Sequence, residues 1–276
     1  MKYSFIIPVY NRPDEVDELL GSLLRQTFSD FEVIVVEDGS SLPCKEVVDA
    51  YIDKLTIHYF CKENSGPGQT RNYGAERASG EYLIILDSDC ILPERYLEEV
   101  EVELQEKTAD AFGGPDRAHA SFTDMQKAIN YAMTSFFTTG GIRGGKKKMD
   151  KFYPRSFNMG IRSDVYKTLG GFSRMRFGED IDFKGGYVCR MFPEAWVWHK
   201  RRTDLKKFFK QVYNSGIARI NLYKKYPESL KLVHMLPALF TLGVFALLCL
   251  AWLCPMGLFL LLLFSLIICV DSTIQN

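Results

Sequence analysis

An alternation of strand and helix patterns over residues 1–115 constrains the fold of this chain more than any other feature. Strand-forming apolar runs are predicted at Ser4–Val9, Glu32–Val36, Leu55–Phe60, Glu81–Leu86 and Ala109–Gly113. Helical patterns lie between them, starting at Pro13 and near Lys45, opening after Gly68, and covering Pro93–Glu106. Such alternation requires crossover connections. It predicts an α/β fold with a mostly parallel, doubly wound sheet flanked by helices.

Polar residues follow three of these predicted strands at their carboxyl ends. The three clusters are Pro8–Asn11, Glu37–Ser40 and Asp87–Asp89. In open α/β sheets, ligands bind beyond the carboxyl ends of the strands. The three clusters are therefore predicted to form one binding site.

Asp87 and Asp89 are the most informative pair among these residues. They follow five apolar strand residues, and two carboxylates at such a place repel each other unless positive charge lies between them. A divalent cation that also binds a diphosphate would supply that charge. A solvated acidic loop is the alternative.

Eight strings along the chain form a pattern in a fixed order. They are Phe5-Ile6-Ile7-Pro8-Val9-Tyr10-Asn11, Val35-Val36-Glu37-Asp38-Gly39-Ser40, Arg71-Asn72, Leu86-Asp87-Ser88-Asp89, Asn158-Met159-Gly160-Ile161-Arg162, Leu169-Gly170-Gly171-Phe172, Gly178-Glu179-Asp180-Ile181-Asp182 and Trp196-Val197-Trp198-His199-Lys200-Arg201-Arg202-Thr203. In these strings the sequence resembles family 2 glycosyltransferases of the GT-A fold, in their bacterial membrane-associated form, over about residues 3–225.

The resemblance implies a role for each matching residue. It assigns nucleotide-sugar binding to Pro8, Asp38, Arg71, Asp87 and Ser88, with Asp38 and Arg71 beside the base. It assigns a Mg²⁺ or Mn²⁺ ion to Asp89, with Asp87 and His199 as further metal contacts. It also implies Asp180 as the general base, and Asn158 and Glu179 on the acceptor side.

These roles make up a complete inverting transfer. One carboxylate takes the proton of the acceptor hydroxyl as that hydroxyl attacks the anomeric carbon, so the enzyme needs no nucleophile. Positive charge at the departing nucleoside diphosphate stabilises the leaving group.

The C-terminal part contains a long stretch without charge. No Asp, Glu, Lys or Arg occurs from Met235 to Val270, and Cys254-Pro255-Met256-Gly257 interrupts the run. Met235–Leu253 is long enough to cross a bilayer, whereas Gly257–Val270 would reach only about 21 Å of the ~30 Å core. The second piece is therefore predicted to be a shortened span. A buried hydrophobic helical hairpin is the alternative.

Charge is distributed unevenly along the chain. Residues 1–140 contain 12 Lys and Arg against 25 Asp and Glu, so the excess of positive charge lies in the second half. This distribution disfavours nucleic acid as a partner.

Asp204–Tyr226 is predicted to be a basic amphipathic helix in the membrane interface, with a solvated helix packed on its own domain as the alternative. Because every Lys and Arg precedes Met235, the large domain is predicted to be cytoplasmic, at a bacterial inner membrane.

The predicted organisation has three parts. Residues 1–202 form a GT-A catalytic domain, with a nucleotide-sugar half at 1–115 and an acceptor half at 116–202. Residues 203–234 form the interfacial region, and residues 235–276 the transmembrane segments. The predicted function is sugar transfer from a nucleotide sugar to a saccharide or lipid-linked acceptor, for a surface polysaccharide or glycolipid.

Two other functions remain open at this point. One is a nucleotidyltransferase, and the other is a membrane-bound nucleotide-sugar-binding protein with impaired catalysis. The second alternative rests on a segment after Phe183 that is some five residues shorter than the resemblance leads us to expect, which would disturb the placement of Asp180.

Overall fold

The computed structural model of this protein describes residues 1–117, 122–135, 152, 154–173, 186–200, 204–225, 227 and 232–275. The chain divides into two compact units. One comprises residues 1–119 and 149–200, and the other comprises residues 120–148 and 201–276. Glu179, Asp180 and the short segment after Phe183 lie outside the described residues.

The first unit contains a seven-stranded sheet, a three-stranded sheet and the helices packed on them. Its strands are β1 (Tyr3–Val9), β2 (Phe31–Asp38), β3 (Ile57–Lys62), β4 (Tyr82–Leu86), β5 (Cys90–Ile91), β6 (Ala111–Gly113), β7 (Asp116–Arg117), β8 (Asn158–Arg162), β9 (Cys189–Met191) and β10 (Val197–His199). Its helices are α1 (Pro13–Leu24), α2 (Lys45–Asp49), α3 (Pro67–Ala75), α4 (Tyr96–Glu106) and α6 (Ser163–Leu169). The helix between α4 and α6 in the chain, α5 (Asp124–Thr134), belongs to the second unit.

The large sheet has the order β3-β2-β1-β4-β8-β6-β9. β1 pairs in parallel with β2 and β4, and β2 pairs in parallel with β3. β8 is the exception, because it runs antiparallel to both β4 and β6. The predicted α/β fold with a mostly parallel sheet is therefore confirmed. The small sheet has the order β5-β10-β7.

The sheet is buried on both faces because helices cover each side. Every residue of β2 is buried, and alternate residues contribute to different apolar clusters. Phe5 and Val33 pack in the cluster that includes α1 and α4, whereas Ile6 and Ile34 pack in the cluster that includes α3 and α6. This double burial explains why these strands are continuous apolar runs in the sequence.

Glu37, the next-to-last residue of β2, is fully buried and organises the loop that follows it. Its carboxylate accepts hydrogen bonds from the Ser40 hydroxyl, from the Cys44 amide at 2.9 Å and from the Tyr59 hydroxyl at 3.1 Å. Burial, together with this carboxylate, raises the pKa of the Cys44 thiol. Glu37 therefore serves the architecture of the site edge.

Replacing Glu37 by leucine is expected to destabilise the protein by roughly 2–5 kcal/mol, because the Cys44 amide and the Tyr59 hydroxyl lose their acceptor in a buried place. Thermal unfolding of the full chain measures this change. The exposed acid Glu46 of α2 gives a matched control, since Glu46→Leu removes a carboxylate from the surface. Equal melting temperatures for the two variants would contradict the prediction.

The second unit contains helical segments at α5 (Asp124–Thr134), α7 (Leu205–Lys225), α8 (Leu236–Leu253) and α9 (Pro255–Gln275), with a 3-10 turn at Leu232–Met235. The helix predicted at Asp204–Tyr226 is confirmed as α7. Its apolar side chains include Leu205, Phe209 and Val212, and these are exposed.

The prediction that the second apolar piece is a shortened span is wrong. α9 has 21 residues and continues past Val270, so both α8 and α9 are long and apolar enough to cross a membrane by length and composition. The helix continues past Val270 because the charged side chain of Asp271 finds hydrogen-bond donors within the same unit. Its carboxylate accepts hydrogen bonds from the Tyr131 hydroxyl of α5 at 2.6 Å and from the Ser135 hydroxyl at 3.3 Å.

Candidate active site

The three polar clusters lie at one edge of the large sheet. They follow β1, β2 and β4, which are neighbours and run parallel, so their carboxyl ends meet. The loops are also tied to each other. The Asn11 amide donates to the Ser40 hydroxyl at 2.8 Å, and the Asn11 side-chain oxygen accepts from the Leu42 amide at 2.9 Å. Pro8 lies in β1 opposite Val36 of β2, at this edge.

Asp38 ends β2 and holds the loop that leads into α3. One carboxylate oxygen accepts from the Lys62 ammonium at 2.6 Å and from the Ser65 amide at 2.9 Å, and the other accepts from the Gly66 amide at 2.9 Å. Burial alone would raise the pKa of Asp38, but these donors outweigh it and lower the pKa. A base that binds here would therefore meet a carboxylate already fixed in position.

Asp38→Asn is expected to cost roughly 1–3 kcal/mol of stability at pH 7, because it removes charge-assisted bonds to Lys62 and Ser65. The folded-state pKa of Asp38 lies below its unfolded value, so its stabilisation is present above about pH 4 and is lost as pH falls through the folded-state value. The difference in melting temperature from wild type should therefore shrink as pH approaches about 2. Asp49→Asn, in the exposed pair with Lys45, is the control. A difference that does not change with pH would contradict the assignment.

Arg71 and Asp87 form the next pair along the edge. Arg71 lies in α3 and is buried, and its guanidinium contacts an Asp87 carboxylate oxygen at 2.8 Å. The same guanidinium lies over the Phe172 ring, 5.0 Å from its centroid. The Asp87 side chain is 34% exposed, so the pair presents a carboxylate to solvent beside a fixed positive charge. That arrangement suits recognition of ribose hydroxyls and phosphate.

Asp89 is held by two basic side chains at this edge. One of its carboxylate oxygens lies 2.6 Å from the Arg12 guanidinium, and the other lies 3.2 Å from His199 Nε2. Burial alone would raise the pKa of Asp89, but His199 and Arg12 outweigh it and hold the pKa well below its usual range. The carboxylate is therefore ionised throughout the physiological pH range.

Asp89, Cys90 and His199 also form a candidate metal site. One ligand atom from each lies within 4.8 Å of the others, and strand pairing between Cys90 of β5 and His199 of β10 explains the proximity. Carboxylate oxygens are the ligands that suit Mg²⁺ and Mn²⁺ best. Imidazole nitrogen suits these ions less well, and a thiol does not suit them. Burial raises the pKa of the Cys90 thiol well above its usual range, and the thiol contacts the Phe157 carbonyl oxygen at 3.4 Å. The residues that fit the ion are thus Asp89 and His199.

The remaining predicted site residues have different environments. Ser88 is buried between the two acids. Asn158, expected on the acceptor side, is buried in β8, where its side chain accepts from the Tyr96 hydroxyl at 2.6 Å and donates to the Ala195 carbonyl at 2.9 Å. Both polar atoms of its amide are thus used within the protein, and the residue positions β8 against its neighbours. Glu179 and Asp180, by contrast, are not among the described residues.

Two basic residues of this site are not among those predicted from the sequence. Arg12 binds Asp89, and Lys62 binds Asp38. The contact of Lys62 with Asp38 could be predicted, because Lys62 ends β3 at the same edge and the strand register places it opposite Asp38. The role of Arg12 was harder to predict from the sequence, because its partner lies 77 residues further along the chain.

Comparison with known proteins gives relatives of one kind. Residues 4–170 match the family Glycosyl transferase family 2. An uncharacterized glycosyltransferase of Rickettsia felis is 33% identical over 137 residues, which are 50% of this chain and 22% of that protein. The chain matches between 14% and 22% of the length of the first three relatives, all uncharacterized glycosyltransferases of Rickettsia species.

Solved structures share the fold at low sequence identity. Residues 1–349 of Staphylococcus aureus TarS in complex with UDP-GlcNAc are 19% identical with a TM-score of 0.55, over 87% of this chain and 72% of that one. The mannosyltransferase PcManGT of Pyrobaculum calidifontis, in complex with GDP-Man and Mn²⁺, is 16% identical with a TM-score of 0.58, over 100% of this chain and 86% of that one. Because the family match covers more than half of the chain and includes every acid of the sheet edge, this protein belongs to glycosyl transferase family 2.

Proposed function

We propose that this protein transfers a sugar from a nucleoside diphosphate sugar to an acceptor hydroxyl, with inversion at the anomeric carbon. The observation that carries the proposal is the row of paired charges at the sheet edge. Lys62 with Asp38, Arg71 with Asp87, and Arg12 with Asp89 lie at the ends of neighbouring strands. Such a row matches the alternation of polar groups along a nucleotide sugar, from its base through its ribose to its diphosphate.

The donor is held by groups that are already in place. Asp38 and Arg71 would contact the base, and Pro8 would lie beneath it. Asp87, the more exposed acid, would accept from the ribose hydroxyls. Since neighbouring donors already fix the carboxylates before the substrate arrives, binding requires little ordering of the site.

The diphosphate end lies at Asp89, Arg12 and His199. Asp89 and His199 would hold the divalent ion, and when bound this ion neutralises charge that develops on the departing nucleoside diphosphate. Arg12 would remain within reach of the same phosphates once it exchanges its contact with Asp89.

Asp180 is the proposed general base, and Glu179 the proposed acceptor contact. Both come from the match between the string Gly178-Glu179-Asp180-Ile181-Asp182 and the family pattern. Asp180 takes the proton of the acceptor hydroxyl as that oxygen forms its bond to the anomeric carbon, while the bond to the diphosphate oxygen breaks. The residues of the sheet edge would supply the donor side of this reaction.

We further propose that α8 and α9 form a membrane anchor. The two helices run antiparallel, because Leu250 approaches Gly257 near the connecting turn and Phe240 contacts Phe264 farther from it. A Cβ atom added to Gly257 would lie 2.2 Å from the Leu250 carbonyl carbon, so the glycine permits close packing. Two antiparallel spans return the chain to the side from which it entered.

This anchor, with the basic helix α7 beside it in sequence, favours an acceptor at the cytoplasmic face of a bacterial inner membrane. A lipid-linked saccharide is such an acceptor. The exposed apolar side chains of α7, among them Phe209 and Ile220, are typical of a helix that lies in the membrane interface, with lysines between them. Transfer at this surface would contribute to a polysaccharide or glycolipid.

The hairpin makes a testable topology prediction. In a variant that keeps one cysteine at a time, Cys61 and Ser272→Cys should react with a membrane-impermeant maleimide from the same side, because α9 ends on the side where α8 begins. Cys254, in the turn between α8 and α9, should react from the opposite side. Cys61 is exposed in the first unit and is therefore the internal reference. Labelling of all three residues from one side would contradict two spans.

The proposed reaction is tested by release of nucleoside diphosphate from a panel of UDP- and GDP-sugars, with the full chain in lipid nanodiscs. We expect release that depends on Mn²⁺ or Mg²⁺ and on an acceptor. Binding of a nucleotide sugar without any release would favour the impaired-catalysis alternative. Release of pyrophosphate from a nucleoside triphosphate and a sugar phosphate would favour a nucleotidyltransferase instead.

A further inference from the structure

A second pocket lies on the opposite face of β10 from the proposed active site. Side chains alternate along a strand, so Val197 and His199 point to one side while Trp196 and Trp198 point to the other. His199 contacts Asp89, whereas both tryptophans line a cavity of about 640 Å³. Ile91, which pairs with Trp198 across β5 and β10, lines the same cavity. The pocket is therefore built on the strand pair that carries the active-site histidine, but opens on its other side.

The two tryptophans form a corner. Their ring centroids lie 4.7 Å apart and their planes cross at 81°. The Arg117 guanidinium lies over Trp196, 4.2 Å from the ring centroid, and supports it in this position. A flat ligand with C–H groups on its face can lie on one indole and contact the edge of the other. The cavity also has the volume of typical small-molecule sites.

The other walls of the cavity are polar and carry both charges. They include Arg25, Glu94, Arg95, Glu99 and Glu194. Arg95 is already engaged by two acids of α4, at 3.0 Å to Glu98 and 3.3 Å to Glu99. With Arg95 and Glu99 paired, Glu94 and Glu194 still outnumber Arg25 among the lining residues, which disfavours phosphate or an anionic lipid headgroup. Carboxylates and guanidinium groups beside aromatic rings are instead suited to neutral ligands with many hydroxyl groups.

We propose that this pocket binds a saccharide. The indoles would contact the apolar face of a pyranose ring, and the carboxylates of Glu99 and Glu194 would accept hydrogen bonds from its hydroxyls. This site is separate from the donor site and binds saccharide whether or not the chain transfers sugar. It would hold a segment of a carbohydrate chain at a distance from the reacting hydroxyl.

Tryptophan fluorescence tests the proposal directly. The chain has three tryptophans, and the third, Trp252, lies in α8 and is 91% exposed. In Trp252→Phe, all indole emission therefore comes from Trp196 and Trp198. This variant is titrated in zwitterionic nanodiscs with chitotetraose and with cellotetraose, both β-linked chains. We expect a saturable change in emission with a dissociation constant on the order of 10⁻³ M.

Three further variants in the Trp252→Phe background locate the binding. Trp198→Ala should weaken binding about tenfold or more, because it removes a stacking surface. Glu194→Gln, at an exposed position, should weaken it about threefold to tenfold and leaves both indoles in place. Asp89→Ala should leave the saccharide affinity unchanged, since it alters only the donor side.

Several results would overturn the proposal. These are no saturable change with either tetrasaccharide, unchanged affinity in Trp198→Ala, or loss of binding in Asp89→Ala, which would place the saccharide in the active site. A change seen only with phosphatidylglycerol vesicles would assign the surface to lipid. Where Trp198→Ala does not fold, Glu194→Gln decides, and unchanged affinity in that variant overturns the proposal.

Discussion

Asp89→Ala is expected to lower turnover by about 10²- to 10³-fold, the loss seen when one charge-stabilising group is removed from an active site. The reason lies in its contacts with two basic side chains and in its proposed role at the metal. Asp89 joins Arg12 of the loop after β1 to His199 of β10, and it is the carboxylate to which we assign the divalent ion. Its removal leaves two basic side chains without their acid and takes one hard oxygen ligand from the proposed metal site.

Calorimetry separates the structural part of this effect from the metal part. We expect Asp89→Ala to lose the Mn²⁺-dependent share of nucleotide-sugar affinity and to keep most of the metal-independent share, which we assign to Asp38, Arg71 and Asp87. Asp124→Ala is a suitable control, because that acid is fully exposed on α5. Unchanged affinity in the presence of Mn²⁺ would show that the metal lies elsewhere.

Asp180→Asn is expected to lower turnover by about 10²- to 10⁴-fold while nucleotide-sugar affinity stays close to wild type. An amide has nearly the shape of the carboxylate but does not accept the proton of the acceptor hydroxyl. The donor contacts come from the sheet edge and should not change. Turnover and donor affinity are measured on the same full-length preparation.

Asp182→Asn is the matched control for this variant, since it changes an acid two positions away in the same string. Near wild-type turnover for Asp180→Asn together with a large loss for Asp182→Asn would move the role of base to Asp182. The short segment after Phe183 bears on the same experiment. If that segment misplaces Asp180, insertion of one and a half helical turns after Phe183 should raise turnover without changing donor affinity.

The strands and helices of the first unit were largely predictable because their patterns are local. β1, β2 and β4 are continuous apolar runs, and the structure places their ends within two residues of the predicted ones. The predicted ends of strands and helices were less accurate where they depend on contacts with other segments. β3 begins at Ile57 instead of Leu55, and α4 begins at Tyr96 instead of Pro93, because the Tyr96 amide is bound to the Pro93 carbonyl in a turn.

The length of the last helix was mispredicted for a related reason. The charge at Asp271 predicts the end of the apolar segment at Val270. The structure continues α9 through it, since hydroxyl groups of Tyr131 and Ser135 satisfy the Asp271 carboxylate. Those partners lie more than 130 residues away in sequence, so local hydropathy did not indicate them.

The sequence by itself determined the alternating architecture, the acids at the strand ends and the apolar C-terminal segment, because periodicity and residue type act over a few residues. Only the tertiary structure decided which charges meet. Arg12, Asp89 and His199 come from three separate elements, and β8 enters the sheet antiparallel between β4 and β6. The face of β10 that carries Trp196 and Trp198 was likewise assigned to a second cavity only by the pairing of β5 with β10. Such contacts depend on how distant segments pack, and no local pattern encodes the pairing.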